Sequence, residues 1–329
     1  MFTDAIKVNM MKTLFVENKN MELRYERACI LVYEKGQHKT SVPVSQLERI
    51  VLSPSIALTA GVLGVVVEHE VSLLVINTRF PKRTASLSGV VRSDVNRRIN
   101  QISLLNNTEF CKKFALDLIR YKTLSQIRFL TKVIKIRPDL RYELRVEIDH
   151  LKKALEKLNA FQITSLAELR GVEGSAARGY FKTYQLLFAN SLGFSGRTKR
   201  PPLDPVNACL SLAYTLFHHE AILAIKTVGL DPAVGFYHAP YYNRESLACD
   251  LIEPLRAVID SWILNLFRNK VIRIEDFTYH SKSCSLTVSG KKKFYSSYRG
   301  KVKGMRRLLR RSANHCVKVI KNNEEKHTA

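Results

Sequence analysis

Short runs of hydrophobic residues, separated by polar ones, mark the first 85 residues of the chain. Thr13-Leu14-Phe15-Val16, Ala28–Tyr33 and Val71–Ile76 are rich in β-branched and aromatic residues, which suit a pleated, half-buried surface. Polar turn material, Glu17–Asn20 and Glu34–Gln37, separates them. Pro54-Ser55 ahead of Ile56-Ala57-Leu58 predicts the start of one short helix. After Pro81-Lys82-Arg83 the pattern changes. Thr84–Gly89 reads as a linker, and from about Ser93 apolar residues recur at helical spacing. Phe114, Leu118, Tyr121 and Ser125 form one such series, and Leu140, Leu144, Ile148, Leu151 and Leu155 another. Pro138 separates the two. Asp204-Pro205 predicts a helix start, with Asp as N-cap and Pro in the first position, running to about Lys226. The pattern predicts an α+β protein, with an N-terminal β-rich domain over residues 1–85 and a larger all-α domain over residues 86–329.

Charge adds a partner to this picture. The composition is ordinary for a globular protein, 46% hydrophobic and 25% charged, yet 53 Lys and Arg face 29 Asp and Glu, a net of +24. Of that excess only +3 falls in residues 1–85 and +21 falls in residues 86–329. So large an imbalance points to nucleic acid or an anionic membrane surface. The longest apolar run, Ile56–Val67, spans 12 residues, too short to cross a bilayer. Asp4 interrupts the N-terminus, so neither a spanning segment nor a secretory signal is expected. The six cysteines lie far apart with no Cys-x-x-Cys and read as reduced intracellular thiols rather than a zinc site or disulfides.

Four segments of the basic domain carry candidate chemistry. In Leu169–Phe181, Glu173 stands among Gly171, Gly174, Ala176 and Ala177. Such small neighbours admit a metal, a phosphate backbone or simply another helix. In Gly235–Arg244, a loop bracketed by Gly235 and Pro240 presents His238 among aromatics, as a functional group or as a capping group. In Ser246–Asp260, Asp250 and Glu253 share a helix face, and like charges so placed repel unless a cation lies between them. Arg256 supplies that cation structurally, or a divalent metal supplies it functionally. Pro254 predicts a kink at the pair. Lastly, Lys291–Arg311 holds ten Lys and Arg and no acid, with Phe294, Tyr295 and Tyr298 interleaved. This combination is expected to contact phosphates and stack on exposed bases, against a solvated helix face or a basic tail. Together the segments suit metal-dependent phosphodiester chemistry, in which carboxylates and an imidazole hold Mg²⁺ or Mn²⁺ and basic surroundings hold the nucleic acid.

In this order the segments resemble the CRISPR-associated Cas-one family, the integrase/endonuclease of spacer acquisition. The matching pieces are Gly171–Gly174 with Ala177-Arg178 and Tyr180-Phe181, Arg200–Asn207, Gly229–Pro232 with Gly235–His238, and Ser246–Arg256. The resemblance implies an N-terminal β-domain and a helical catalytic, DNA-binding domain; the β-domain, with few core positions for its length and strand edges that need cover, is expected to supply much of the homodimer contact. It implies that Glu173, His238 and Glu253 bind Mg²⁺ or Mn²⁺, with Asp250 in support, binding metal through water or orienting the site. His218 and His219 receive no role. It implies a homodimer, a Cas-two partner protein, and double-stranded or branched DNA with 3′ overhangs as substrate. Arg178, Arg244 and Arg256, with Arg306, Arg307, Arg310 and Arg311 of the basic stretch, are the candidate phosphate contacts. The expected location is the prokaryotic cytoplasm, at the nucleoid, with no membrane partner. An architectural nucleic-acid binder would explain the charge but not the carboxylates. A repair nuclease would share the site but not integrate.

Overall fold

A computed structural model of the chain describes residues 12–77, 83–89, 94–160, 163–198, 201–280 and 283–324. Of the positions used above, Asp4, Pro81, Lys82, Ser93 and Arg200 lie outside them. Contacts divide the chain into two compact units, Met1–Val91 and Arg92–Ala329. The α+β class is as expected: strands dominate the first unit and helices the second.

The first unit is built from two four-stranded sheets. One pairs β1 (Lys12–Val16), β5 (Leu47–Leu52), β7 (Ser72–Val75) and β8 (Ala85–Leu87) in that order, the other β4 (Gln37–Pro43), β3 (Cys29–Glu34), β2 (Met21–Glu26) and β6 (Ala57–Leu58). In the first sheet β1, β5 and β7 run parallel, and β8 is antiparallel to β7. Val16, Leu23, Ile30, Ile50, Leu52 and Leu73 form a core with Val62 and Val66 of α1 (Ala60–Glu68). Two expectations change here. The segment read as a linker contains β8, whose backbone completes the edge of β7. The helix expected from Ile56 begins at Ala60, because Ala57 and Leu58 first pair with β2. Tight hairpins join β2 to β3 through Arg27-Ala28 and β3 to β4 through Lys35-Gly36, all four at positive φ, as two-residue turns between twisted strands require.

The second unit packs α2 (Val95–Ser103), α3 (Thr108–Ile136), α4 (Arg141–Asn159), α5 (Leu166–Gln185), α6 (Pro205–Thr227), α7 (Ser246–Ile252), α8 (Arg256–Arg268) and α9 (Val288–Glu324). It is not wholly helical. Phe277–His280 and Ser283–Leu286 form an antiparallel hairpin, β9–β10, ahead of α9. Asp204 caps α6 as expected, accepting from Asn207 N at 2.8 Å. A short 3₁₀ turn at Pro138 parts α3 from α4, and one at Glu253–Leu255 parts α7 from α8. The kink at Pro254 is therefore a full break in helix geometry, and Glu253 sits on it. Helix α6 is long and apolar enough to cross a membrane by length and composition. It is mostly buried within the unit and carries buried Asn207 and Glu220, so its apolar character belongs to a core helix.

The basic C-terminal stretch departs furthest from expectation. Phe294, Tyr295 and Tyr298 are buried. Trp262 packs against Phe294 and Tyr298, and Phe217 against Tyr298. These rings are core, not a stacking platform for bases. Arg306 likewise turns inward: Nε donates to Glu220 Oε2 at 2.8 Å and Nη2 to Oε1 at 3.0 Å, while Tyr298 donates its hydroxyl to Oε1. A carboxylate buried on α6 needs such partners, so Arg306 is not a phosphate contact. Arg307, Arg310 and Arg311 remain exposed on the opposite face.

Candidate metal centre

The loop between α6 and α7 is held from several sides. Gln101, fully buried on α2, donates to the carbonyls of Asp231 at 2.9 Å and Val234 at 2.7 Å and accepts from Asp231 N at 2.8 Å. The Phe236 ring packs edge-on against Phe110 and Phe114 of α3. Gly235 is pressed so closely that a Cβ there would lie 2.6 Å from the Ser246 carbonyl carbon and 2.8 Å from both His238 O and Leu247 N. All three are backbone atoms, so only glycine fits.

Asp250, with no exposed surface, completes the loop. Its Oδ2 accepts from Phe236 N at 2.9 Å and Tyr237 N at 3.1 Å, and its Oδ1 accepts from His238 N at 3.0 Å. His238 Nδ1 stands 2.7 Å from Oδ1. A carboxylate that already accepts three amides is an acceptor for the ring, so Nδ1 carries the proton and Nε2 presents a lone pair. This is the carboxylate–histidine arrangement found behind metal-ligating imidazoles. Of the two readings of Asp250, orientation of the site is the one this geometry matches.

Glu253 and Glu173 meet around a residue that the sequence reading did not single out. Lys122, buried on α3, hydrogen-bonds Glu173 Oε1 through its ammonium, which also lies 2.7 Å from Glu253 Oε2. That second contact is an ion pair off the hydrogen-bonding line, and Oε2 is buried without a hydrogen-bond partner. Glu253 Oε1 accepts from Arg256 Nε at 2.8 Å. Burial opposes ionisation of Glu253, but Arg256 and Lys122 outweigh it and hold the carboxyl down to about 2. Burial likewise opposes charge on Lys122, and Glu253 and Glu173 overcome it, so the ammonium stays protonated. Arg256 is thus committed to Glu253 and stacked 4.8 Å over the Tyr214 ring, which corrects its reading as a phosphate contact. Behind it, buried Asp260 accepts from the hydroxyls of Tyr214 and Tyr180, and burial pushes its carboxyl up to about 6 against those bonds.

The three candidate ligands come from α5, the 228–245 loop and the 253–255 turn. Among the described residues no three His, Cys, Asp or Glu side chains stand close enough together, as placed, to hold a metal ion. Instead, the Lys122 ammonium contacts both carboxylates. The donor set itself fits a hard divalent cation: two carboxylates, one with an oxygen buried and lacking a hydrogen bond, and an imidazole with a free Nε2. Arg178 and Arg244 are exposed. His218 hydrogen-bonds Glu245 at 3.3 Å and belongs to the loop's support.

The profile of the family described as CRISPR associated protein Cas1 matches residues 14–300 of this chain. The chain belongs to the Cas1 family. The CRISPR-associated endonuclease Cas1 1 of Thermodesulfovibrio yellowstonii is 38% identical over 302 residues, 91% of this chain and 94% of that protein. Among solved structures, a CAS1 protein from Thermotoga maritima aligns with a TM-score of 0.80 at 21% identity, over 94% of this chain and 97% of its own. A chain of a Cas6-RT-Cas1–Cas2 complex aligns with a TM-score of 0.81 at 20% identity, over 96% of this chain. This chain spans 35% of that longer one. Both structural likenesses are likenesses of fold.

The tight packing of Gly235 yields a test. Gly235→Ala should push the loop off Asp250 at a cost of roughly 1–3 kcal/mol. Amide hydrogen exchange at Phe236, Tyr237 and His238 should accelerate by about ten- to a hundredfold. Unchanged exchange at these amides would mean that the close approach does not hold the loop.

Proposed function

We propose that Glu173, His238 and Glu253 hold the divalent metal of a Cas1 spacer integrase and endonuclease. As a Cas1 protein the chain is a CRISPR-associated endonuclease that inserts short DNA fragments into a CRISPR array. The observation that carries the site assignment is the Asp250–His238 pair beside two carboxylates. It orients an imidazole in the way that metal-ligating histidines are oriented, next to carboxylates of the kind a hard cation takes. Mg²⁺ and Mn²⁺ are the cations that suit such donors.

A divalent cation held by Glu173, His238 and Glu253 would polarise a phosphate oxygen and would activate a hydroxyl or water nucleophile. The chain's own residues do the rest. Asp250 fixes the ring of His238, and Arg256 fixes Glu253 as a carboxylate. Exposed Arg178 and Arg244 receive phosphates of the bound strand. In integration, the 3′-hydroxyl of the incoming fragment attacks a phosphorus at the repeat boundary and loses its proton. A new P–O bond forms there, and the bond to the repeat strand's own 3′-oxygen breaks, that oxygen taking up a proton to leave as a free 3′-hydroxyl. One phosphodiester replaces another, so no nucleotide cofactor is consumed. When water attacks instead, the same site cleaves DNA.

This chemistry requires a DNA strand with a free 3′-hydroxyl, and the family resemblance implies that it is carried by branched or overhanging duplex DNA. The excess of +21 on residues 86–329 supplies the electrostatic attraction. The Cas6-RT-Cas1–Cas2 complex supports a Cas2 partner for this chain. A homodimer built through the β unit completes the assembly, and the cytoplasm, at the nucleoid, is where such a substrate is met.

Glu173→Ala, His238→Ala and Glu253→Ala should each reduce cleavage of branched DNA and integration into an array plasmid to background, with DNA binding retained. Asp250→Asn, which removes an acceptor behind the ligand, should cost about 10–100-fold in activity or metal affinity. Near-normal turnover by Glu173→Ala with Mg²⁺ or Mn²⁺ would overturn the assignment.

Neutralising Arg307, Arg310 and Arg311 together should weaken DNA binding. It should also flatten the dependence of log K on log salt by about 0.9 for each duplex phosphate that is no longer neutralised. Arg306→Gln should instead lower thermal stability, because it leaves Glu220 underpaired. Binding titrations at several salt concentrations read the first effect, and an unchanged slope would remove this face from the DNA path.

A further inference from the structure

We infer that Lys122 is an exchangeable counter-ion of the metal centre. Its ammonium bridges Glu173 and Glu253 and must leave them for a divalent cation to bind, so it sets how tightly that cation is held. The inference rests on the ligand assignment above.

The geometry gives the exchange its direction. Arg256 engages Glu253 at Oε1, and Lys122 stands at Oε2. A metal can therefore take Glu253 without breaking the Arg256 pair only at Oε2, the oxygen that Lys122 covers. Glu173 has its bond from Lys122 at Oε1. Both ligand carboxylates thus reach the same ammonium, and a cation that takes both competes with it directly. The opening is on the Glu173 side, whose side chain is 23% exposed, while those of Lys122 and Glu253 are 10% and 6% exposed.

The residue type matches the task. An ammonium is a compact point charge on a flexible four-carbon stem, and it can swing off its partners when a stronger charge arrives. A guanidinium would grip the two carboxylates through several fixed donors. Without any cation the two carboxylates would repel each other and Oε2 would remain buried and uncompensated. Lys122 therefore keeps the ligand pair assembled in advance, at the cost of weakening the metal's hold. Once displaced, its ammonium is free for an anion brought by the substrate.

The test is Mn²⁺ affinity of the full-length protein without DNA, by calorimetry or by the electron paramagnetic resonance of free Mn²⁺, with folding checked by circular dichroism. Lys122→Met, of similar length but uncharged, should bind Mn²⁺ tighter by on the order of tenfold, since it removes the competing charge. Lys122→Arg keeps the charge in a less mobile form and should bind Mn²⁺ more weakly than wild type. Equal or weaker binding by Lys122→Met overturns the inference. If Lys122→Met does not fold, equal or tighter binding by Lys122→Arg overturns it. Glu173→Ala separates the two claims. Loss of Mn²⁺ binding in that variant upholds the ligand assignment whatever Lys122 does. Wild-type binding there removes the assignment, and the inference with it.

Discussion

Two carboxylates gathered on one buried ammonium are the constraint around which the helical unit is arranged. Glu253 is buried and held as an anion to about 2, and Glu173 faces it across a single ammonium. Taking such charges out of water costs several kcal/mol per ion unless cations and hydrogen bonds offset it. The structure offsets it with Lys122 from α3 and Arg256 from the start of α8. Arg256 in turn lies against Tyr214, whose hydroxyl binds Asp260. A core built only for stability would replace such a stack with apolar side chains. Its retention follows if the carboxylates have a charged ligand to bind.

The imidazole is supplied by different means. Its loop has no regular structure, so its shape is set by what holds it: Gln101 from α2, the Phe236 ring on α3, the close approach at Gly235, and the buried carboxylate of Asp250. Three backbone amides and one ring nitrogen converge on Asp250. It acts as a fixed acceptor that settles both the loop's path and the ring's tautomer. The pieces of the site thus reach it from α2, α3, α5, α7 and the break at Pro254, which is why no single stretch of sequence spells it out.

Much of this was legible in the chain. Asp204-Pro205 announced α6, Pro254 announced the break under Glu253, and the β-branched and aromatic runs announced β1, β3 and β7. What escaped has physical reasons. β4 is an edge strand of mostly polar, exposed residues and carries no hydrophobic alternation. β8 and β6 are too short to show a period. In the basic stretch, composition says the same thing whether a ring faces water or core. The buried series Phe294, Tyr298, Val302, Met305, Leu309 and Ala313 recurs at helical spacing, and that period, not the charge, decides which way the aromatics point. Lys122 escaped for the opposite reason. It falls on the buried face of α3 between Leu118 and Gln126, where it is the one charge in a stripe of buried, uncharged residues. Such a charge is the sequence signal of a buried ion pair, but it does not name the partners, which lie 51 and 131 residues away.

The account's central claim is that Glu173, His238 and Glu253 share one divalent cation. Anomalous diffraction from crystals soaked in Mn²⁺ tests it most directly. The account predicts one strong manganese peak within ~2–2.5 Å of a carboxylate oxygen of Glu173, of Glu253 Oε2 and of His238 Nε2, with the Lys122 ammonium moved off both carboxylates. A fully soaked crystal with no peak there, or with manganese bound elsewhere while Lys122 still bridges the pair, would contradict it.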